Sequence, residues 1–246
     1  MSEIKQKPWL AGPKELLDHA DSHISSAKAF DHRIAFISID NAVELMIRTF
    51  LSLPKRARGR DGPPRKRMDA ASGFPDLLDL LEEYAEDLIH GIELGEIEWF
   101  HRIRNNLYHE GNGITVDAEQ LKTYRAIARV LFQNLFGIKL LGPPLGPTGA
   151  FLENWAELEN RLKTAAMKYI SKPHHRPPES LVRILVEKAV VDEEFERSFN
   201  DLHKTRNTIA RGYSLGGMDA AYRKNKAHFF RRVTWRLAGL SSYGWG

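Results

Sequence analysis

The chain has 246 residues, enough for one large domain or two of about 100 to 150 residues each. Its 42% hydrophobic and 28% charged composition suits a packed core rather than a disordered coil. It contains no cysteine, which excludes disulfides, thiol nucleophiles, zinc ribbons and iron–sulfur clusters, and no apolar run approaches the roughly 18 residues of a membrane span. The opening MSEIKQKPWL lacks a signal peptide's apolar stretch, so a cytoplasmic protein is expected. The net charge of +4 is uneven: residues 1–146 hold 19 Lys/Arg against 21 Asp/Glu, and residues 147–246 hold 17 against 11. The C-terminal part is the one that attracts polyanions.

Helical periodicity dominates the chain. Pro13 and the following KELLDHADSHISSAKAF read as an opening helix with proline near its first turn. Over 33–53, Ile34, Ile37, Val43, Leu45, Ile47, Phe50 and Leu51 run nearly all round the cylinder, which predicts a buried helix stopped by Pro54. Next comes a segment with seven Lys/Arg in thirteen residues: Lys55, Arg56, Arg58, Arg60, Arg65, Lys66 and Arg67. Its glycines and paired prolines predict a mobile basic loop, and its cations suit an RNA backbone, a solvated insert or an acidic docking partner. Helices are then predicted over 75–89, 94–109 and 117–136. LLGPPLGPTG, residues 140–149, reads as a proline and glycine linker between a domain at 1–139 and another at 150–246. Beyond it, helices are predicted over 150–170, 181–189, 192–210 and 218–240.

The two halves repeat a pattern. At an offset of 102, His101 falls on His203, Arg104 on Arg206 and Asn105 on Asn207, with Arg102 on Lys204 and Leu107 on Ile209. Without a gap, Asp117 then meets Asp219, Ala118 meets Ala220, Lys122 meets Lys224, Leu135 meets Leu237 and Gly137 meets Gly239. Two copies of one helical unit are the economical reading.

The segment RNNLYH, with Arg104, Asn105 and then His109 near a helix end before Gly111, resembles the signature of HEPN domains (higher eukaryotes and prokaryotes nucleotide-binding). The upstream RIAFISIDNAVELMIRTFL is similar to that family's buried second helix, and WAELENRL with LHKTRNTIARG gives the second half the same look. The resemblance implies an all-α protein of two tandem helical bundles, in which paired signature helices build a metal-independent endoribonuclease site without a cofactor. Toxin–antitoxin, antiviral or RNA-processing work is implied with it, as is an alternative: an inactive adaptor that binds RNA or a partner protein.

The side chains allow that chemistry on their own terms. RNA supplies its 2′-hydroxyl as nucleophile, so cleavage needs a proton acceptor, a proton donor and cations around the phosphorane. Histidine exchanges protons near neutral pH, and arginine offers a fixed fork of donors to phosphate oxygens. His109 and Arg104 fit these roles, and a nearby arginine disfavours the imidazolium. Asn105 shares a helical face with His109 at i,i+4 and is placed to orient the ring or touch the phosphate. Arg104 lies about 140° round an ideal helix from His109, so cations from a second helix are expected to face it. In the second copy Arg211 stands where the histidine belongs, and a guanidinium does not exchange its proton. That copy, with Arg206 and Asn207, therefore reads as an RNA-binding or structural element. A second proton-transfer group would have to be Tyr108, His101, His203 or water.

Two pairings are open: a homodimer through the signature helices, and an intrachain pseudo-dimer of the two copies. The bland reading of His109 is a helix-end residue that complements the dipole. Arg223, Lys224 and Lys226 of the last predicted helix add cations for RNA, while its aromatic residues read as core or interface. His19 and His23 stand at i,i+4 but lack a third ligand at motif spacing, so no metal site is expected. No glycine-rich phosphate loop, nucleophile elbow or HExxH occurs.

Overall fold

The structure is a computed structural model that describes residues 7–26, 28–109 and 115–210. Ten α-helices and no strand occur among the described residues, which are thus all-α. It divides into two compact units, 1–145 and 146–246. The expected helix over 218–240 lies outside the described residues.

The first unit carries α1 (Ala11–Ile24), α2 (Ala29–Ser52), the short α3 (Lys55–Arg58) and α4 (Arg65–Ala70), α5 (Phe74–Ala85), α6 (Leu94–His109) and α7 (Ala118–Phe136). α2 lies at the centre and packs against α1, α5, α6 and α7. It buries Phe36, Ile39, Val43, Met46, Ile47 and Phe50, as apolar residues spread around a cylinder require. It stops at Leu53, where Pro54 forces extended backbone. α7 starts on an Asp117 cap, whose carboxylate accepts the Glu119 and Gln120 N–H groups, and stops at Gly137 in the left-handed conformation. At the head of α5 the Asp76 carboxylate accepts the N–H groups of Ser72 and Gly73, and these bonds hold it below the usual carboxylate range.

The helix expected over 75–89 is shorter. α5 ends at Ala85 and a 3₁₀ turn, Glu86–Leu88, follows. Glu82, Glu83, Glu86 and Asp87 gather at that end, where the helix dipole disfavours negative charge.

The expected mobile loop at 55–67 is instead partly helical, as α3 and α4, and tied to the unit by its own cations. Arg58 donates to the Leu51 and Phe50 carbonyls at 2.5 and 3.3 Å, closing the end of α2. Arg60 is bidentate with Asp87, and Arg67 donates to Glu83 at 2.6 Å. Lys55 pairs with Asp61 at 2.8 Å, and Arg65 lies 3.7 Å from Asp69. Local charge counting missed this because Glu83 comes from the helix after the basic run and Asp87 from the 3₁₀ turn that follows it.

The expected linker is also altered. α8 already begins at Gly146, and the stretch before it is packed, with Leu140 and Leu145 buried. Arg129 of α7 donates to the carbonyls of Leu140 and Pro143 at 3.1 and 3.2 Å. Gly142 crosses a buried ion pair, Arg125 to Asp21, so closely that an added Cβ would stand 2.9 Å from Asp21 Oδ2.

In the second unit α8 (Gly146–Ala166), α9 (Pro178–Glu187) and α10 (Glu193–Ala210) pack on one another. Their core joins Phe151, Trp155 and Leu162 to Leu181, Leu185, Phe199 and Leu202. Asp192 accepts the Phe195 N–H at 2.8 Å to start α10, and the glutamates of its first turn favour the helix dipole.

Arg125 is 1% exposed and makes two short bonds to Asp21, 2.7 Å from Nε and 2.6 Å from Nη2. Removing one partner strands the other charge in the core, so Asp21→Ala is expected to cost about 3–5 kcal/mol in urea unfolding. A loss under about 1 kcal/mol would mean that water reaches the guanidinium.

Candidate functional site

α6 is built in two layers by its own sequence. Ile97, Phe100 and Leu107 face the core, and Phe100 stacks flat on Tyr124 of α7 with centroids 4.3 Å apart. His101 and Arg104 lie on the flank next to α2, where they meet a buried carboxylate, and Asn105 sits beside Arg104. Asp40 of α2 is fully buried. Its Oδ1 accepts the Tyr124 hydroxyl at 2.7 Å, its Oδ2 lies 2.9 Å from His101 Nδ1, and Arg104 Nε is 3.4 Å from Oδ2. The last is a charge contact whose geometry falls short of a hydrogen bond. A buried carboxylate costs several kcal/mol unless it is paired and hydrogen-bonded. Here a phenol, an imidazole and a guanidinium supply the compensation.

Each partner is fixed in turn. A carboxylate only accepts, so the neutral His101 ring carries its proton on Nδ1 and keeps a lone pair on Nε2. The ring lies on Phe74 at the start of α5, 4.1 Å between centroids and 18° from parallel, with 13% of the side chain exposed. Arg104 Nη1 donates to Asn105 Oδ1 and Nη2 to Asn41 Oδ1, both at 2.9 Å. Tyr108, 68% exposed, sits one turn on with the guanidinium carbon 5.6 Å from its ring centre. Burial and the adjacent Asp40 charge push the Tyr124 phenol well above its ordinary pKa.

The expected trio is thus joined in part. Arg104 and Asn105 are in direct contact, and both belong to one polar cluster. The asparagine oxygen serves Arg104, which leaves its amide N–H groups for the imidazole or phosphate that the sequence assigns to it. α6 runs through His109, whose side chain lies outside the described residues, as do Arg211, Arg223, Lys224 and Lys226. Of the basic segment, Lys55, Arg58, Arg60, Arg65 and Arg67 are engaged within the protein, as described above. Among the described residues no carboxylate pairs with Arg56 or Lys66.

The second unit repeats the local geometry with different parts. His203 Nδ1 lies 2.5 Å from Glu179 Oε1 of α9, its ring stacks on Trp155 of α8 at 5.4 Å and 10°, and its Nε2 is 3.3 Å from Asn207 Nδ2. Arg206 Nη1 donates to Asn207 Oδ1 at 3.4 Å, and Arg206 is 2% exposed. Because the guanidinium can only donate, Asn207 must present its oxygen to it and its amide to the ring. The relay is closed: both imidazole nitrogens and both ends of the amide are occupied. Arg206 and Asn207, expected to bind RNA or to serve structure, are therefore held in the body of the unit.

Among the described residues no group of three His, Asp or Glu side chains is placed to hold a metal ion, and His23 is paired with Asp31 at 3.2 Å. No helix among them is long and apolar enough to cross a membrane. Comparison with known proteins gives no match: no family model, no curated protein and no solved structure is significantly similar to the chain.

Asp40, Asn41, Phe74 and Tyr124 were missed by sequence reasoning. The available signal was Asp40-Asn41 itself, a charged and an amide residue set among the apolar Phe36, Ile39, Ala42 and Val43 of the buried face, which demands partners.

Folding raises the Tyr124 pKa, so its contribution to stability is whole below about pH 10, the unfolded value, and is lost as pH climbs through the higher folded value. Tyr124→Phe should remove that alkaline loss and cost about 1.5–3 kcal/mol at neutral pH, because a buried carboxylate loses a donor. Urea unfolding between pH 7 and 11 measures both effects; an unchanged neutral stability would show that the hydroxyl does not support Asp40.

Proposed function

We propose that the chain is a HEPN-type endoribonuclease that cleaves RNA by internal attack, in a defence, toxin–antitoxin or RNA-processing setting. The observation that carries this reading is the Arg104-Asn105 pair, held on α6 beside a histidine whose tautomer a buried carboxylate fixes. In the proposed reaction His109 accepts the 2′-hydroxyl proton, and the freed oxygen attacks phosphorus. The bond to the 5′-oxygen breaks, and that oxygen leaves with a proton from a second acid. His101, with its Nδ1–H on Asp40 and Nε2 available to carry a proton, is the group that suits this second step. Arg104 holds the phosphate and stabilises the charge that builds on its oxygens. A homodimer through α6 would bring two such clusters together.

A non-catalytic reading is favoured by one observation: in the second unit Arg206 is 2% exposed and donates to Asn207, whose amide in turn faces His203. On that reading the protein binds RNA or a partner protein and cuts nothing.

Incubation of the protein with single-stranded RNA and with DNA of the same sequence, in the presence of a chelator, separates the two. The nuclease reading expects RNA products ending in a 2′,3′-cyclic phosphate, intact DNA, and a rate lowered about 10²- to 10⁴-fold by His109→Ala. Cleavage undiminished in that variant would remove His109 from the mechanism. Retention of intact RNA by wild type and variant alike would establish the binding reading instead.

A further inference from the structure

Arg104 touches a residue that the family signature does not contain. Asn41 stands on α2, half-buried, and its Oδ1 accepts from Arg104 Nη2 at 2.9 Å. A guanidinium has five N–H donors and no acceptor, so the atom facing it must be the amide oxygen, and the Nδ2 group must turn away. The same logic fixes Asn105, whose Oδ1 takes Arg104 Nη1. Arg104 is therefore flanked by an amide from α2 and an amide from α6, each with its oxygen turned to the guanidinium and two N–H groups left. The second N–H on each of Nη1 and Nη2 adds two more donors.

The neighbouring carboxylates already face donors of the protein. Asp40 Oδ1 takes Tyr124, and Asp40 Oδ2 faces His101 and Arg104. Glu44, one turn further along α2, accepts from Arg48 at 3.1 Å. Tyr108, largely exposed, has its ring centre 5.6 Å from the guanidinium carbon. The result is a half-buried rim rich in donors and poor in acceptors, built on two helices.

We infer that Asn41, Arg104 and Asn105 form an oxyanion site for a phosphate group, with Asn41 a direct ligand contact. The inference rests on the reading of α6 as a phosphodiester site and adds to it a contact from a different helix. A planar carboxylate needs only the guanidinium fork. A tetrahedral phosphate has further oxygens for the amides on either side, and neutral amides bring donors without adding charge to repel Arg104.

The test follows the Asn41 side-chain amide signal by NMR in the full chain, titrated with inorganic phosphate and, separately, with a 2′-deoxy-blocked RNA oligonucleotide that resists cleavage. Asn41→Asp identifies the signal, so the wild-type readout does not depend on a variant's folding. Both probes are expected to shift it. Asn41→Ala should raise the oligonucleotide Kd about 5- to 10-fold with an unchanged salt slope, since a neutral donor displaces no counterion, whereas Arg104→Gln should flatten the slope by about one. Asn41→Asp, which sets a carboxylate against the guanidinium, should weaken binding about 100-fold.

An amide signal that ignores both probes overturns the inference, and so does RNA cleavage dependent on His109 with wild-type affinity in both Asn41 variants; the latter leaves the nuclease reading intact. Shifts with phosphate alone support a free-phosphate site, and shifts with both probes while unblocked RNA stays whole support the oxyanion site and remove the nuclease reading.

Discussion

A carboxylate with no exposed surface sits in the middle of the central helix of the first unit, and three other groups are placed by the need to compensate it. Asp40 draws the Tyr124 hydroxyl from α7 and the imidazole and guanidinium of His101 and Arg104 from α6. α2, α6 and α7 are thereby joined by polar contacts at one point, beside the stacked Phe100 and Tyr124 rings that join them through apolar surface. Hydrophobic packing alone would tolerate small rotations of α6 about its axis. The carboxylate does not, because its two oxygens have directions and the three partners must meet them.

The two units show how one local pattern can be met by different surroundings. In both, a histidine three residues before Arg and four before Asn puts Nδ1 on a carboxylate and its ring on an aromatic face. In the first unit the carboxylate is buried in mid-helix and the aromatic begins a helix; in the second, Glu179 near the start of α9 is 39% exposed at its side chain and Trp155 lies within α8. The helix that bears this pattern carries its requirements with it, and the rest of each unit supplies them from what is at hand. The consequence for chemistry differs. Arg104 keeps unspent donors and amide neighbours with unspent donors, whereas Asn207 is satisfied at both ends.

Much of the architecture was legible because it follows from periodicity and stop signals. Apolar residues all round α2, Pro54 after it, and the Asp117 and Gly137 caps of α7 are local facts. The features that were not legible depend on contacts distant in sequence. Nothing within the basic run reveals that Arg60 and Arg67 meet Asp87 and Glu83, and nothing in LLGPPLGPTG reveals that Arg129 collects its carbonyls. The site was half visible for the same reason. Arg104 and Asn105 announce themselves as neighbours on one helix, but Asp40 and Asn41 lie some sixty residues upstream, and only the packing of α6 on α2 brings them in.

The role of Arg58 at the end of α2 bears on how the basic segment should be probed. Alanine scanning of positions 55–67 would strip a lid from the Phe50 and Leu51 carbonyls and detach the segment from Asp87 and Glu83, so lost RNA affinity in such a series would report fraying of the scaffold as much as missing phosphate contacts. Charge reversal at Arg56 and Lys66, which hold nothing together among the described residues, would report electrostatic attraction with the framework left standing.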